Sequence, residues 1–132
     1  MDFMFLSRWA PQLLSVLRII TALLFFAHGS AKVFGFPAVA MFADLKIASL
    51  YGIAGIIEMI ASIFLFIGLF SRLAAFIVSG EMAIAYFHTH APQGFYPIQN
   101  EGEGAILFCF IFLYLAAAGP GPWSVDAGRG KA

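Results

Sequence analysis

Apolar residues along this chain gather into four long stretches, broken by short segments of glycine, proline and charge. The first runs from about Leu13 to Phe36 and the second from about Ile47 to Phe70. The third covers Leu73 to His88 or His90, and the fourth runs from Gly104, or from as early as Asn100, to Ala118. Each approaches the roughly 20 residues that a helix needs to cross a hydrocarbon core. The breaks carry turn chemistry. Phe36 precedes Pro37 and is therefore pushed away from helical geometry. Gly68 to Arg72 supplies a tight turn, Pro92, Gly94 and Pro97 interrupt the next connection, and the run Gly119-Pro120-Gly121-Pro122 stops the fourth stretch. The pattern predicts an all-α, integral membrane four-helix bundle with spans of about 13–36, 47–70, 73–90 and 101–118. With no repeat and no linker, residues 1–132 read as a single transmembrane domain.

Composition agrees with lipid as the main solvent. Of 132 residues 62% are hydrophobic and only 11% are charged, where a soluble domain carries about a quarter. A net charge of zero lacks the basic stripe that a nucleic-acid partner calls for. The lone Cys109 leaves no dithiol pair within the chain. Arg8 flanks the first stretch, but its apolar run is too long for a signal peptide, Arg18 interrupts it, and no clean cleavage pattern follows. Met1 to Gln12, with Phe3, Leu6, Arg8 and Trp9, suits a segment lying at the interface. Arg8, Arg72, Arg129 and Lys131, with Arg18 nearby, fall on one side of the spans, against Lys32 and Lys46 on the other. The positive-inside rule then places both termini in the cytoplasm.

The most informative residues are charges that a bilayer normally excludes. Arg18, His28 and Lys32 lie in the first stretch, Glu58 in the second and Glu81 in the third. Each costs at least about 2.5 kcal/mol at mid-bilayer, so each is expected to face a partner or a cavity. Helical spacing puts Arg18, Thr21, Phe25, His28 and Lys32 on one face, Tyr51, Gly55, Glu58 and Ser62 on another, and Glu81, Ala85 and His88 on a third. At about 1.5 Å per residue, Arg18 sits within reach of Glu81, whereas His28, Lys32, His88, His90 and Glu103 fall towards the opposite, outer end. Taken singly these residues read as register pairs, Arg18 with Glu81 and Lys32 with Glu58 or Glu103. Three spans with aligned polar stripes point instead to a cavity between the helices.

Other chemistry is thinner. His28 and His88 lie at similar depth on different helices, yet a haem between them is disfavoured, because edge histidines need no metal. No metal-ligand spacing such as HExxH or CxxC is present. Cys109, among Phe108, Phe110 and Phe112, reads as a packed thiol. Some phenylalanines could line a slot for a quinone-like ring. No electron-carrying centre is evident, so an enzymatic role needs a bound carrier or a partner.

Several motifs together resemble the DoxX family. His28-Gly29, followed by Lys32-Val33-Phe34-Gly35, is similar to its HG-x-x-K-[LV]-FG signature, and Glu58 falls where the family carries a glutamate. Gly68 to Ala75 resembles its GLF[ST]RLAA turn, and Gly80-Glu81-Met82 with Ala85-Tyr86-Phe87 resembles its third-helix pattern. Phe95-Tyr96-Pro97, Asn100 to Glu103, Ala118 to Gly121 and Ser124 to Ala127 extend the likeness over nearly the whole chain. Glu101 stands where a glycine is usual, and Pro122-Trp123 replaces a basic-aromatic pair. The resemblance implies a multi-pass protein of the bacterial inner membrane. Some members are tied to redox chemistry, including the membrane subunit of a thiosulfate:quinone oxidoreductase. It also implies shared polar positions at His28, Lys32, Glu58, Arg72, Glu81, Asn100 and Glu103, with Arg72, Gly119 and Pro120 serving the turns. The expectation is a quinone-linked, redox-associated subunit working with lipid and with partner redox proteins. The alternative is a non-enzymatic scaffold, or a module conducting protons or a small solute.

Overall fold

A computed structural model describes residues 2–132, and among them there are helices and turns but no strand. A 3-10 turn at Met4–Trp9 leads into α1, Ala10–Phe34. Helix α2 spans Leu50–Ile67 and α3 spans Ser71–Ala85, continuing as a π-helical segment, Tyr86–His90. Short α4, Pro97–Asn100, precedes α5, Glu103–Ala118, and a final turn of helix, α6, covers Val125–Gly128. The apolar stretches thus become helices, with α1 starting earlier than expected, at Ala10, and α2 shorter than expected, starting at Leu50 after the Ser49 cap. Gly35 (φ 69°) and Gly68 (φ 75°) end α1 and α2 in the left-handed conformation that glycine adopts freely. By length and apolarity, Met4–Phe34 and Leu50–Ile67 are each sufficient to cross a membrane, while α5 is apolar but shorter.

The distribution of side chains is the reverse of a water-soluble fold. Ser15, Arg18, Thr21, Glu58, Ser62 and Ser79 are buried. Ile20, Leu24, Ile60, Ile63, Phe76 and Leu107 are exposed on the helix exteriors. Apolar surface on this scale calls for an apolar solvent. Between the helices, Phe25, Leu65, Val78, Phe112 and Leu115 form the centre of the core.

Helix α1 packs closely along α2, and α3 along α5. The α1–α2 crossing is tight because two glycines meet there. A Cβ on Gly29 would lie 2.7 Å from the Gly55 carbonyl oxygen, and one on Gly55 would lie 2.7 Å from the Lys32 Cβ. Small residues at such a crossing let backbones approach, and van der Waals packing then holds helices that lipid does not force together. This contact brings Lys32 of α1 over Glu58, which lies one helical turn beyond Gly55.

The segment after α5 folds back to the end of the molecule where α1 begins. Arg18 is fully buried there. Instead of reaching Glu81 it donates to backbone carbonyls, from Nε to Leu65 (2.8 Å) and from Nη2 to Trp123 (2.7 Å), with Pro120 a further acceptor. The expected Arg18–Glu81 pair is therefore not formed. Carbonyls left free at the end of α2 and in the glycine-proline turn satisfy the guanidinium locally. Gly119 and Pro120 belong to that turn, and Ser15 Oγ also donates to the Pro120 carbonyl (3.2 Å). Arg72 donates to the carbonyls of Ala116 and Ala117, a cation at the C-terminus of α5. Asp126 accepts from the N–H groups of Phe70 (3.0 Å) and Ser71 (2.9 Å) at the start of α3.

Two expectations follow from this packing. Gly55→Ala should separate α1 from α2 and lower stability by about 1–3 kcal/mol. Gly80→Ala, whose Cβ meets nothing within 4 Å, should change little; unfolding in detergent micelles compares them. Burial alone would raise the Asp126 pKa, but the Ser71 and Phe70 N–H groups, the Ser71 hydroxyl and Arg129 outweigh it, so the value falls below the ordinary one. A depressed carboxyl stabilises the fold above its unfolded value, near 3.9, and that contribution is lost as pH falls through the folded value. Asp126→Ala should cost about 1–2 kcal/mol at neutral pH, and its deficit relative to the parent chain should shrink below about pH 4.

Candidate functional site

At the end away from the termini the helices diverge around a cavity of about 520 Å³. Its walls come from α1, α2, the α3 π segment, α5 and the loop that carries Pro37 to Phe42. Leu24, Met82, Ala105 and Phe108 supply apolar lining, while His28, Lys32, Tyr51, Thr89, His90 and Glu101 supply polar groups. The volume falls within the range of small-molecule sites, about 300–1,000 Å³.

Lys32 forms the charged wall. Its Nζ lies 2.6 Å from Glu58 Oε1 and 5.5 Å from the centre of the Phe42 ring. Glu58 is fully buried behind it, outside the cavity lining. The Glu81 carboxyl of α3 interacts in turn with that of Glu58. Glu58 Oε2 and both Glu81 oxygens are buried without a geometrically good hydrogen-bond partner. One ammonium therefore faces two carboxyls from two other helices, and three buried acceptor atoms are left without a donor. Buried polar atoms are seldom left so, and when they are, the place calls for an explanation.

His28 is exposed into the cavity, with its ring edge-on to Phe108 at 5.4 Å. Across from it, Tyr51 Oη and Thr89 Oγ1 share a hydrogen bond of 2.9 Å that ties α2 to the π segment. His90 Nδ1 lies 3.0 Å from the Asn100 carbonyl oxygen.

Of the eight polar positions expected around a cavity, only His28 and Lys32 line this one, and Glu58 and Glu81 stand directly behind Lys32. Arg18 is buried at the opposite end. Two positions need correction. His88 is exposed, because the π segment inserts an extra residue into the helical register. Continuing the α-helical spacing from Glu81 through Ala85 reaches His88; the wider π turn presents Thr89 and His90 to the cavity instead. Glu103 is also exposed, in the first turn of α5, where a carboxylate suits the helix dipole.

Asn100 is fully buried but lies outside the lining. It organises the loop before α5, donating to the Gly94 carbonyl (2.9 Å) and accepting from the Gly102 N–H (2.8 Å). Thr89 had no signal in the sequence, since nothing in Tyr86–His90 marks a π turn. Glu101 sits at the mouth with φ 60°, in the left-handed region that favours glycine, at a strain of about 1–2 kcal/mol.

Comparison with known proteins follows the same residues. A family model described as DoxX matches residues 13–91, a stretch that holds His28, Lys32, Glu58 and Glu81. An uncharacterised protein of Haemophilus influenzae is 44% identical over 107 residues, covering 78% of this chain and 80% of that relative. No solved structure matches the chain. With more than half its length under the family model, and with such a relative, the chain belongs to the DoxX family of membrane proteins.

Proposed function

We propose that this protein is a four-span subunit of a bacterial inner membrane, with both termini cytoplasmic, whose cavity holds a quinone-like carrier for a redox partner. Four longer helices with apolar exteriors support the bundle. Arg8, Arg72 and Arg129, at the end that carries the termini, support the orientation.

The observation that carries the reading is the Lys32–Glu58–Glu81 set at the cavity wall. The cavity suits a flat ring with polar edges: Phe108 and Met82 give apolar faces, and Lys32 and His28 give hydrogen-bonding groups at one end. A quinone, when bound, brings chemistry that couples electrons to protons. The residues of this chain would hold and move the protons. Lys32 uses one of its three N–H donors on Glu58, and the others are free to hold a ligand oxygen. His28 adds a second polar contact. Directly behind Lys32, Glu58 Oε2 and both Glu81 oxygens lack donors, and these free acceptors are where a proton from the ligand would pass. Electrons pass to the partner, for which this chain provides position and proton traffic.

Two measurements test this. Protein purified gently from native membranes should carry quinone enriched over the surrounding lipid, read by mass spectrometry of the extract; an extract without enrichment would sink the carrier reading. Glu58→Gln alone removes the carboxylate in contact with Lys32 and should destabilise by about 3–5 kcal/mol. Lys32→Met with Glu58→Met should recover most of that loss and still fail to retain quinone. A double variant that keeps both stability and quinone would reduce the pair to a register device and favour the scaffold reading.

A further inference from the structure

The cavity is bounded unevenly. Helices α1 and α2 are in close contact, as are α3 and α5, but α1 and α5 stay apart along most of their length. They meet through aromatic rings, with Phe25 against Phe108 (5.2 Å) and Phe112 (4.8 Å), and with His28 against Phe108. Beyond that aromatic floor, towards the end away from the termini, the space between α1 and α5 is the cavity itself. Along this seam the lining is Leu24, Ala27 and Ala31 on one side and Gly104 and Ala105 on the other. Four of these five are glycine or alanine, so neither helix puts bulk into the seam. Leu24 is 58% exposed and Leu107, on the neighbouring turn of α5, is 62% exposed. On this side the apolar exterior runs up to the seam. Lys32 and His28 lie inside the opening. Glu101 lies at the outer mouth, but the α1–α5 seam itself is lined by apolar residues, with Lys32 on the wall behind it.

We propose that the α1–α5 seam is a side entrance from the bilayer. The ligand class is then a lipid-soluble amphiphile: its polar ring rests against Lys32 and His28 while its apolar tail leaves between Leu24 and Gly104. The proposal rests on the carrier reading above and adds to it the route of entry and the requirement for a tail.

Gly104 offers a clean test. A Cβ there meets nothing within 4 Å, so Gly104→Leu fills the seam without disturbing the packing. Ala27→Leu fills it from the facing helix, should the first variant fold poorly. Gly80→Leu is the control, at an equally open position outside the cavity lining. The probes are decylubiquinone and the same ring without its tail, titrated against the protein in lipid nanodiscs with binding followed by calorimetry.

The parent chain and Gly80→Leu should bind the tailed probe at least about tenfold more tightly than the bare ring, the gain from burying roughly two methylene groups. Gly104→Leu and Ala27→Leu should remove that preference and leave affinity for the bare ring within about twofold, which a merely unfolded variant would not do. Equal binding of the two probes by the parent chain would overturn the side entrance, as would undiminished tail preference in both seam variants; the carrier site would survive either result. Failure of the parent chain to bind either probe would instead remove the carrier reading, and this proposal with it.

Discussion

A lysine and a glutamate held together inside apolar surroundings set the terms for the rest of this molecule. Neither Lys32 nor Glu58 is tolerable alone at that depth, and their 2.6 Å contact exists because Gly29 and Gly55 bring α1 and α2 together just beside it. The backbone crossing and the ion pair are one device. Removing the space at the glycines moves the charges apart, and removing a charge leaves the crossing with an unpaired ion. Glu81 adds a second carboxyl from the other helix pair, so this charged centre involves three of the four longer helices.

The two ends of the structure treat buried charge in opposite ways. Arg18 is surrounded by carbonyl oxygens from α2 and from the segment after α5, and its hydrogen-bonding is well supplied. At the other end, the carboxyls behind Lys32 keep three oxygens without partners. A satisfied guanidinium braces; an undersupplied acid pair next to a cavity has capacity left for chemistry. Burial is common to both, and the difference lies in the partners.

Much of this was legible in the sequence, for reasons of periodicity. Apolar length located the helices, glycine and proline located their ends, and a spacing of three and four residues put Lys32, Glu58 and Glu81 on inward faces. What escaped depends on features without a residue-level mark. The π turn at Tyr86–His90 moved His88 out and Thr89 in, because one additional residue per turn shifts every position after it. The Arg18–Glu81 pair failed because backbone carbonyls, invisible to any reading of side chains, were nearer partners. Glu101 stands where glycine is usual, and the structure gives the reason, a backbone in the left-handed region.

The carbonyls around Arg18 also bear on how the chain is made. Leu65 and Phe66 emerge from the ribosome long before Pro120 and Trp123. Until that later segment returns to the start of α1, the arginine is only partly coordinated, whatever the state of the helices between. The glycine-proline stretch after α5 thus completes the arginine's coordination, and the first helix reaches its final electrostatic environment only after the segment through Trp123 has been synthesised.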